Sequence, residues 1–146
     1  MSAAELLASN RYLTLATAAA DGTPWATPVW FAPDGGGLLW ASRPGRRHSR
    51  NIAERREVAL VLFDSTVPSD EAHALYGEGV AGLVPDGDVE RAAGVFSAHS
   101  VAQGMASWAV EAVTGEAALR LYRVRLTALW ELDPGEDRVA VPLPVG

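Results

Sequence analysis

Apolar and polar residues alternate with a period of two along several short stretches of the chain, the pattern of strands with one buried face. In "RYLTLAT", which begins at Arg11, Leu13 and Leu15 alternate against polar neighbours. The turn "AADGTP" leads into "WATPVWF", where Trp25, Thr27, Val29 and Phe31 share a face, so a hairpin over 11–17 and 25–31 is predicted. Pro28 has no N–H to give a ladder and belongs on an edge strand or at a bulge, where a ligand can approach the backbone. "PDGGG" predicts the next turn. "LLWAS" at 38–42 and "EVALVLF" at 57–63 are apolar runs of strand length, and "RRHSRNIAER" between them reads as a helix. "LYGEGVAGLV" falls in a predicted strand over 74–84, whose glycines suggest a bulge or a close backbone approach. The longest alternation sets Tyr122, Val124, Leu126, Ala128, Trp130 and Leu132 against Arg123, Arg125, Thr127, Glu131 and Asp133, and only Leu129 breaks it. It predicts a strand over 119–132.

Helical signals are fewer. Ser2 and Glu5 have capping-box spacing, which predicts a short lead-in helix through about Ser9. Asp86 or Asp88 can cap a helix whose apolar face is Val89, Ala92, Ala93 and Phe96, at i, i+3, i+4 and i+7. Residues 100–118 carry Gly104 and Gly115 with mixed signals and read as part helix, part loop; the closing "PLPVG" reads as a mobile end. Parallel βαβ repetition is missing. The expectation is therefore mainly β: a six-stranded antiparallel barrel with helical additions, in one domain over 1–146.

Composition narrows the function classes. A chain of 146 residues that is 49% hydrophobic can bury a core without metal or disulfide staples. It has no cysteine, which removes disulfides, thiolate nucleophiles and thiolate metal sites, and suits a cytoplasmic protein. "MSAAELLASN" has neither the basic nor the long apolar part of a signal peptide, and no stretch approaches the roughly 18 apolar residues of a membrane span. The net charge of −6 argues against nucleic acid and anionic membranes as partners. There is no lysine, so Schiff-base chemistry and a Walker-type phosphate loop are excluded. His48, His73 and His99 stand far apart with no HExxH, and no metal is expected. Ser100 beside His99 lacks a G-x-S-x-G elbow, so no hydrolase is expected. Of the five tryptophans most are expected in the core, with one or two walling a ligand.

Against this acidic background, half of the twelve arginines fall between Arg43 and Arg56. Ser42 ends a predicted strand, Pro44-Gly45 turns the chain, and Arg46, Arg47, His48 and Ser49 open the following helix. A helix start offers unpaired N–H groups and a partial positive charge, arginine adds a planar fork matched to phosphate oxygens, and serine hydroxyls fill remaining acceptors. The corner is a phosphate site in outline, and the alternative is a solvated arginine-rich helix face.

The order "YLTLATAAADGTPWATPVWF", "LLWASRPGRRHSRNIAERREVALVLF", then "LYGEGVAGLV" before a capped helix resembles the pyridoxamine 5'-phosphate oxidase-like proteins, the flavin-binding split barrels. The resemblance covers about residues 10 to 100 and continues more weakly at "LTALWELD". It implies a homodimer that binds FMN in a groove shared by two subunits and moves hydride or electrons to or from a small organic substrate. By position, Thr27, Pro28, Val29 and Trp30 would flank the flavin ring, Ser42, Arg47, His48 and Ser49 would hold the phosphate with Arg46 beside them, and Trp130 resembles an aromatic reaching the other subunit's flavin. The second basic position, often lysine in the oxidases, is His48 here, and the oxidases' glutamine falls near His73 or Ala74. The substrate-phosphate arginines have no counterpart except Arg138 after Trp130. Vitamin B6 oxidation is therefore not expected. Two alternatives stay open: a reductase using the 8-hydroxy-5-deazaflavin coenzyme, whose polyglutamate tail suits Arg43, Arg46 and Arg50, and a non-catalytic flavin- or haem-binding protein.

Overall fold

The computed structural model describes residues 2–135 and 137–145. Its centre is a curled antiparallel sheet of eight strands: β1 (Tyr12–Ala18), β2 (Pro24–Trp30), β3 (Ala32–Asp34), β4 (Gly37–Ser42), β5 (Glu57–Phe63), β6 (Ala74–Leu83), β7 (Arg120–Leu132) and β8 (Arg138–Val141). The strands run in the order β2-β1-β5-β6-β7-β4-β3, with β8 paired to β7. Three helices join them: α1 (Ala3–Ser9), α2 (Arg47–Glu54) and α3 (Val89–Ala102).

The six predicted strands are present within a residue or two of their expected limits, and the mainly β antiparallel expectation holds. The count of six is too low. β3 begins at Ala32 and ends inside "PDGGG", its three residues pairing with β4 across the turn, and β8 lies in the C-terminal segment as a hairpin partner of β7. Segments so short carry too few alternating positions to register as strands.

The β1–β2 hairpin turns at Gly22, whose φ of +90° is one that a side chain disfavours. β2 is the sheet's last strand, so Pro28 sits on an edge as its missing donor requires. Leu13, Leu15, Phe31, Leu38, Trp40, Leu60, Leu75 and Val124 fill the inside of the curl. A second cluster, Ala32, Leu39, Leu121, Ala92, Ala93 and Phe96, lies between α3 and the outer side of the sheet. β4 is covered on both faces, which explains why "LLWAS" is apolar without alternation. α1 has its expected capping box, and its buried Leu6 and Leu7 join the inner core.

Two details differ from the sequence reading. Asp88 occupies the cap position of α3 but makes no capping bond, because its carboxylate is taken by Arg91 and Arg123. β7 is not one uninterrupted alternation. Opposite Glu78 and Gly79 of β6 it pairs through Ala128 and then Leu126, so Thr127 is an extra residue and its hydroxyl donates to the Glu78 carbonyl at 3.2 Å. A Cβ on Gly79 would lie 2.5 Å from the Arg125 carbonyl oxygen, so the bulge needs a glycine there. Tyr122, Val124 and Leu126 point inward before the bulge and Leu129 after it, while Trp130 turns to the outer face. Leu129, the one residue that broke the sequence pattern, marks this change of side.

Candidate functional site

The strand-to-helix corner is built as the residue types dictate. β4 ends at the buried Ser42, the chain turns with the Arg46 N–H donating to the Arg43 carbonyl at 3.1 Å, and α2 starts at Arg47. α2 is fixed from below: Ile52 enters the inner core, and the buried Asn51 amide donates to Thr17 Oγ1 of β1 at 3.0 Å. Arg50 donates to the Gly45 carbonyl at 2.9 Å and holds the turn. No side chain caps the start of α2. Its first N–H groups therefore lack capping partners, beside the buried Ser49 hydroxyl, which has no hydrogen-bond partner.

His48 is buried with its Nε2 2.9 Å from Ser42 Oγ. Burial first, and the neighbouring Arg46 cation second, push its pKa below the ordinary histidine value, so it is neutral at pH 7. Arg46 and Arg47 are exposed, and the Arg47 guanidinium lies 4.1 Å above the Trp25 ring of β2.

A cleft of about 510 Å³ opens beside this corner. Pro28, Val29 and Trp30 of β2 form one side, with Tyr12 of β1 next to them. Ala41, Ser42 and His48 form the corner end. Phe96 and Ser100 of α3, then Met105, Ala106 and Trp108 of the following loop, form the other end, and Leu119 lines the cleft just before the Arg120 that pairs with Ser42. Five predicted residues thus line one cavity: Pro28, Val29, Trp30, Ser42 and His48. Arg46, Arg47 and Ser49 adjoin it at the helix start, and Thr27 precedes Pro28 on the same strand without lining it. Trp130 does not line this cleft; it faces outward on β7, opposite Tyr76. Arg138 lies 4.7 Å above the Tyr76 ring and is also outside the cleft.

The end formed by α3 and the 103–108 loop was not read from the sequence. Its aromatic residues were read as scaffold, Phe96 on the apolar face of the capped helix and Trp108 among the core tryptophans, and both do pack in the second cluster. Trp30 packs edge-on to Phe96 with ring centroids 4.9 Å apart, and Phe96 meets Trp108 in the same way at 5.2 Å. The Trp30 indole N–H donates to Gln103 Oε1 at 2.8 Å, and Gln103 Nε2 lies 3.0 Å from His99 Nε2. An indole can only donate, so Gln103 must turn its oxygen to Trp30 and its NH₂ to His99. His99 then accepts at Nε2 and carries its proton on Nδ1, a neutral form that burial also favours by lowering its pKa. Ser100 donates to the Ala106 carbonyl at 2.7 Å and so ties the end of α3 to the following loop. Among the described residues no group of histidine and carboxylate side chains is arranged to hold a metal ion. No helix among them is long and apolar enough to cross a membrane.

No curated protein matches the chain. Several solved structures share its fold. An F420 reductase is 27% identical with a TM-score of 0.63, over 86% of this chain and 93% of that one. An FAD-binding protein from Mesorhizobium loti is 20% identical with a TM-score of 0.67, over 90% and 94% of the two chains. A haem storage protein from Vibrio cholerae is 19% identical with a TM-score of 0.67, over 87% and 89%. The family model for pyridoxamine 5'-phosphate oxidase matches residues 2–133, nearly the whole length, and the chain belongs to that family, with its split-barrel fold.

Proposed function

We propose that this protein is an FMN-dependent oxidoreductase acting on a small organic molecule, with the FMN phosphate held at the start of α2. The observation that carries this reading is Ser49, a buried hydroxyl without a partner beside an uncapped helix start. A buried hydroxyl left unpaired costs free energy, and a phosphate oxygen accepting from it removes that cost. The residues present fit the group. Ser42 and Ser49 offer hydroxyls, the first N–H groups of α2 carry no side-chain cap, and Arg47 brings a guanidinium from the rim. Arg46 adds charge, while His48 binds as a neutral partner of Ser42 near pH 7. Thr27, Pro28, Val29 and Trp30 on the free edge of β2 are suited to lie along the isoalloxazine ring. Bound flavin supplies the hydride chemistry at its N5, and the chain's part is anchoring, orientation and exclusion of water.

In this reading the protein is a homodimer, and the outward-facing Trp130 of one subunit reaches the ring held by the other. A second cofactor has a specific observation in its favour. F420 is an 8-hydroxy-5-deazaflavin, the F420 reductase is the one neighbour named here above 25% identity, and Arg43, Arg46 and Arg50 have no carboxylate partner among the described residues. FMN ranks first because one phosphate satisfies Ser49 and the helix start without a further basic tract.

The test is titration of the purified apoprotein with FMN and with the deazaflavin, followed by quenching of tryptophan fluorescence, which Trp25 and Trp30 should report. FMN is expected to bind more tightly. Tighter deazaflavin binding would reverse the order. Failure of both at micromolar concentration, with haem binding in their place, would convert the reading to the non-catalytic alternative.

A further inference from the structure

The two ends of the cleft differ in chemistry. The corner end carries Ser42 and His48, with Leu119 next to the Arg120 that pairs with Ser42, whereas the far end, against α3, is lined by Trp30, Phe96, Met105, Ala106 and Trp108. No carboxylate or guanidinium lines the cleft among the described residues. The polar groups of the far end are already engaged: Ser100 with the Ala106 carbonyl, the Trp30 indole with Gln103, and the Trp108 N–H with Ser97 Oγ at 2.7 Å. Arg138, the sequence's only candidate for a substrate phosphate, rests on Tyr76 elsewhere. A charged group placed at the far end would lose its hydration with nothing to replace it.

We propose that the far end is the substrate subsite and that it takes an uncharged, flat aromatic molecule, stacked against the partly buried Trp30 and Trp108 with the buried Phe96 behind them. The proposal rests on the reading that the corner end holds the cofactor phosphate, which leaves the far end for a second ligand. The T-shaped ring contacts fix the wall geometry, and the Trp30–Gln103–His99 chain holds Trp30 in place from α3. Flat apolar surface against such a wall is the recognition it can provide, with burial and ring packing as the driving terms.

The probes are naphthalene-2-methanol and 2-naphthoate, which share a ring and differ in charge, measured by equilibrium dialysis against FMN-free and FMN-saturated protein. The alcohol is expected to bind at least about tenfold more tightly than the naphthoate in both forms, the equivalent of about 1.4 kcal/mol. Trp108→Ala should weaken alcohol binding about tenfold. Because loss of Trp108 also unpacks Phe96, a second variant is needed, and Met105, 40% exposed at the rim, provides it. Met105→Arg should raise naphthoate affinity and remove or reverse the preference while the fold stays intact. Equal affinity for the two probes, a preference that Met105→Arg does not move, or expulsion of the alcohol by FMN would each overturn the proposal. If FMN itself does not bind, the cofactor reading fails separately, and the probe preference on the FMN-free protein still decides the subsite.

Discussion

Arginine is clustered in two regions of this molecule, and the two clusters are wired differently. In the first, Arg91 of α3 forks onto Asp34 of β3 at 2.8 and 3.0 Å and also reaches Asp88, while Arg123 of β7 joins the same two carboxylates. Two cations meet two anions, and the knot ties a strand end, a helix start and the long central strand together. The hydrogen bonds from Arg91 hold the Asp34 carboxyl below the ordinary range, with Arg123 adding to the effect, and the same two arginines lower Asp88 further. In the second cluster, at the corner, none of Arg43, Arg46, Arg47 and Arg50 has a carboxylate partner among the described residues. Arg47 rests on a tryptophan face and Arg50 on a backbone carbonyl. In a chain of net charge −6, carboxylates were available to neutralise the corner, and among the described residues none pairs with it, not even Glu54 at the end of α2. Paired arginines serve the scaffold; those without a carboxylate, beside an unsatisfied buried hydroxyl, are the ones that the proposed anion would use.

Three substitutions test this contrast. Arg47→Ala should have the largest effect, weakening FMN binding about ten- to a hundredfold, or about 1.5–3 kcal/mol for a charge-assisted contact, with the thermal midpoint of the apoprotein nearly unchanged. An FMN affinity equal to wild type would turn the corner back into a solvated helix face. Asp34→Ala should do the reverse. It leaves Arg91 and Arg123 competing for Asp88 and should lower the unfolding free energy by about 1–2 kcal/mol, read by urea titration, while FMN affinity stays at the wild-type value. Because the folded-state pKa of Asp34 is depressed, its contribution is complete above the ordinary carboxylate value of about 4 and fades as pH falls below it. The wild-type and variant curves should therefore converge in acid, and a constant gap down to low pH would mean that the knot is not what was lost. Ser49→Ala should give the smallest changes, with opposite signs: the apoprotein equally stable or up to about 1 kcal/mol more stable, and FMN bound about three- to tenfold more weakly. A loss of apoprotein stability would mean that the hydroxyl already has a partner in the fold.

The corner was legible in the sequence because each of its parts is local. Ser42, the Pro44-Gly45 turn and Arg46 to Ser49 lie within eight residues, and a strand end followed by a helix start fixes their relation. The sheet was legible for a similar reason, since a period of two survives in any strand with one wet face. The far end of the cleft was not legible. It joins Trp30 to Phe96, Met105 and Trp108 across the sheet and α3, and the segment 103–109 has no regular structure to announce a face. The sharing of Gln103 between Trp30 and His99 is equally invisible without the fold. Asp88 was placed correctly at the helix start but given the wrong role, because the pull of Arg123 comes from 35 residues away.

The single extra residue at Thr127 has a wider consequence for how the long strand is used. It acts as a phase shift: upstream of it even-numbered residues serve the interior, and downstream of it Leu129 does, which frees Trp130 for the outside. One continuous strand can then hold its own core together and still display an aromatic on its exterior without a break in pairing. The same residues laid into a regular ladder, with Thr127 paired instead of bulged, would turn Trp130 inward and expose Leu129. Matching Trp130 to an outward aromatic elsewhere in the family therefore requires counting the extra residue out first, and the glycine at position 79 marks where it lies.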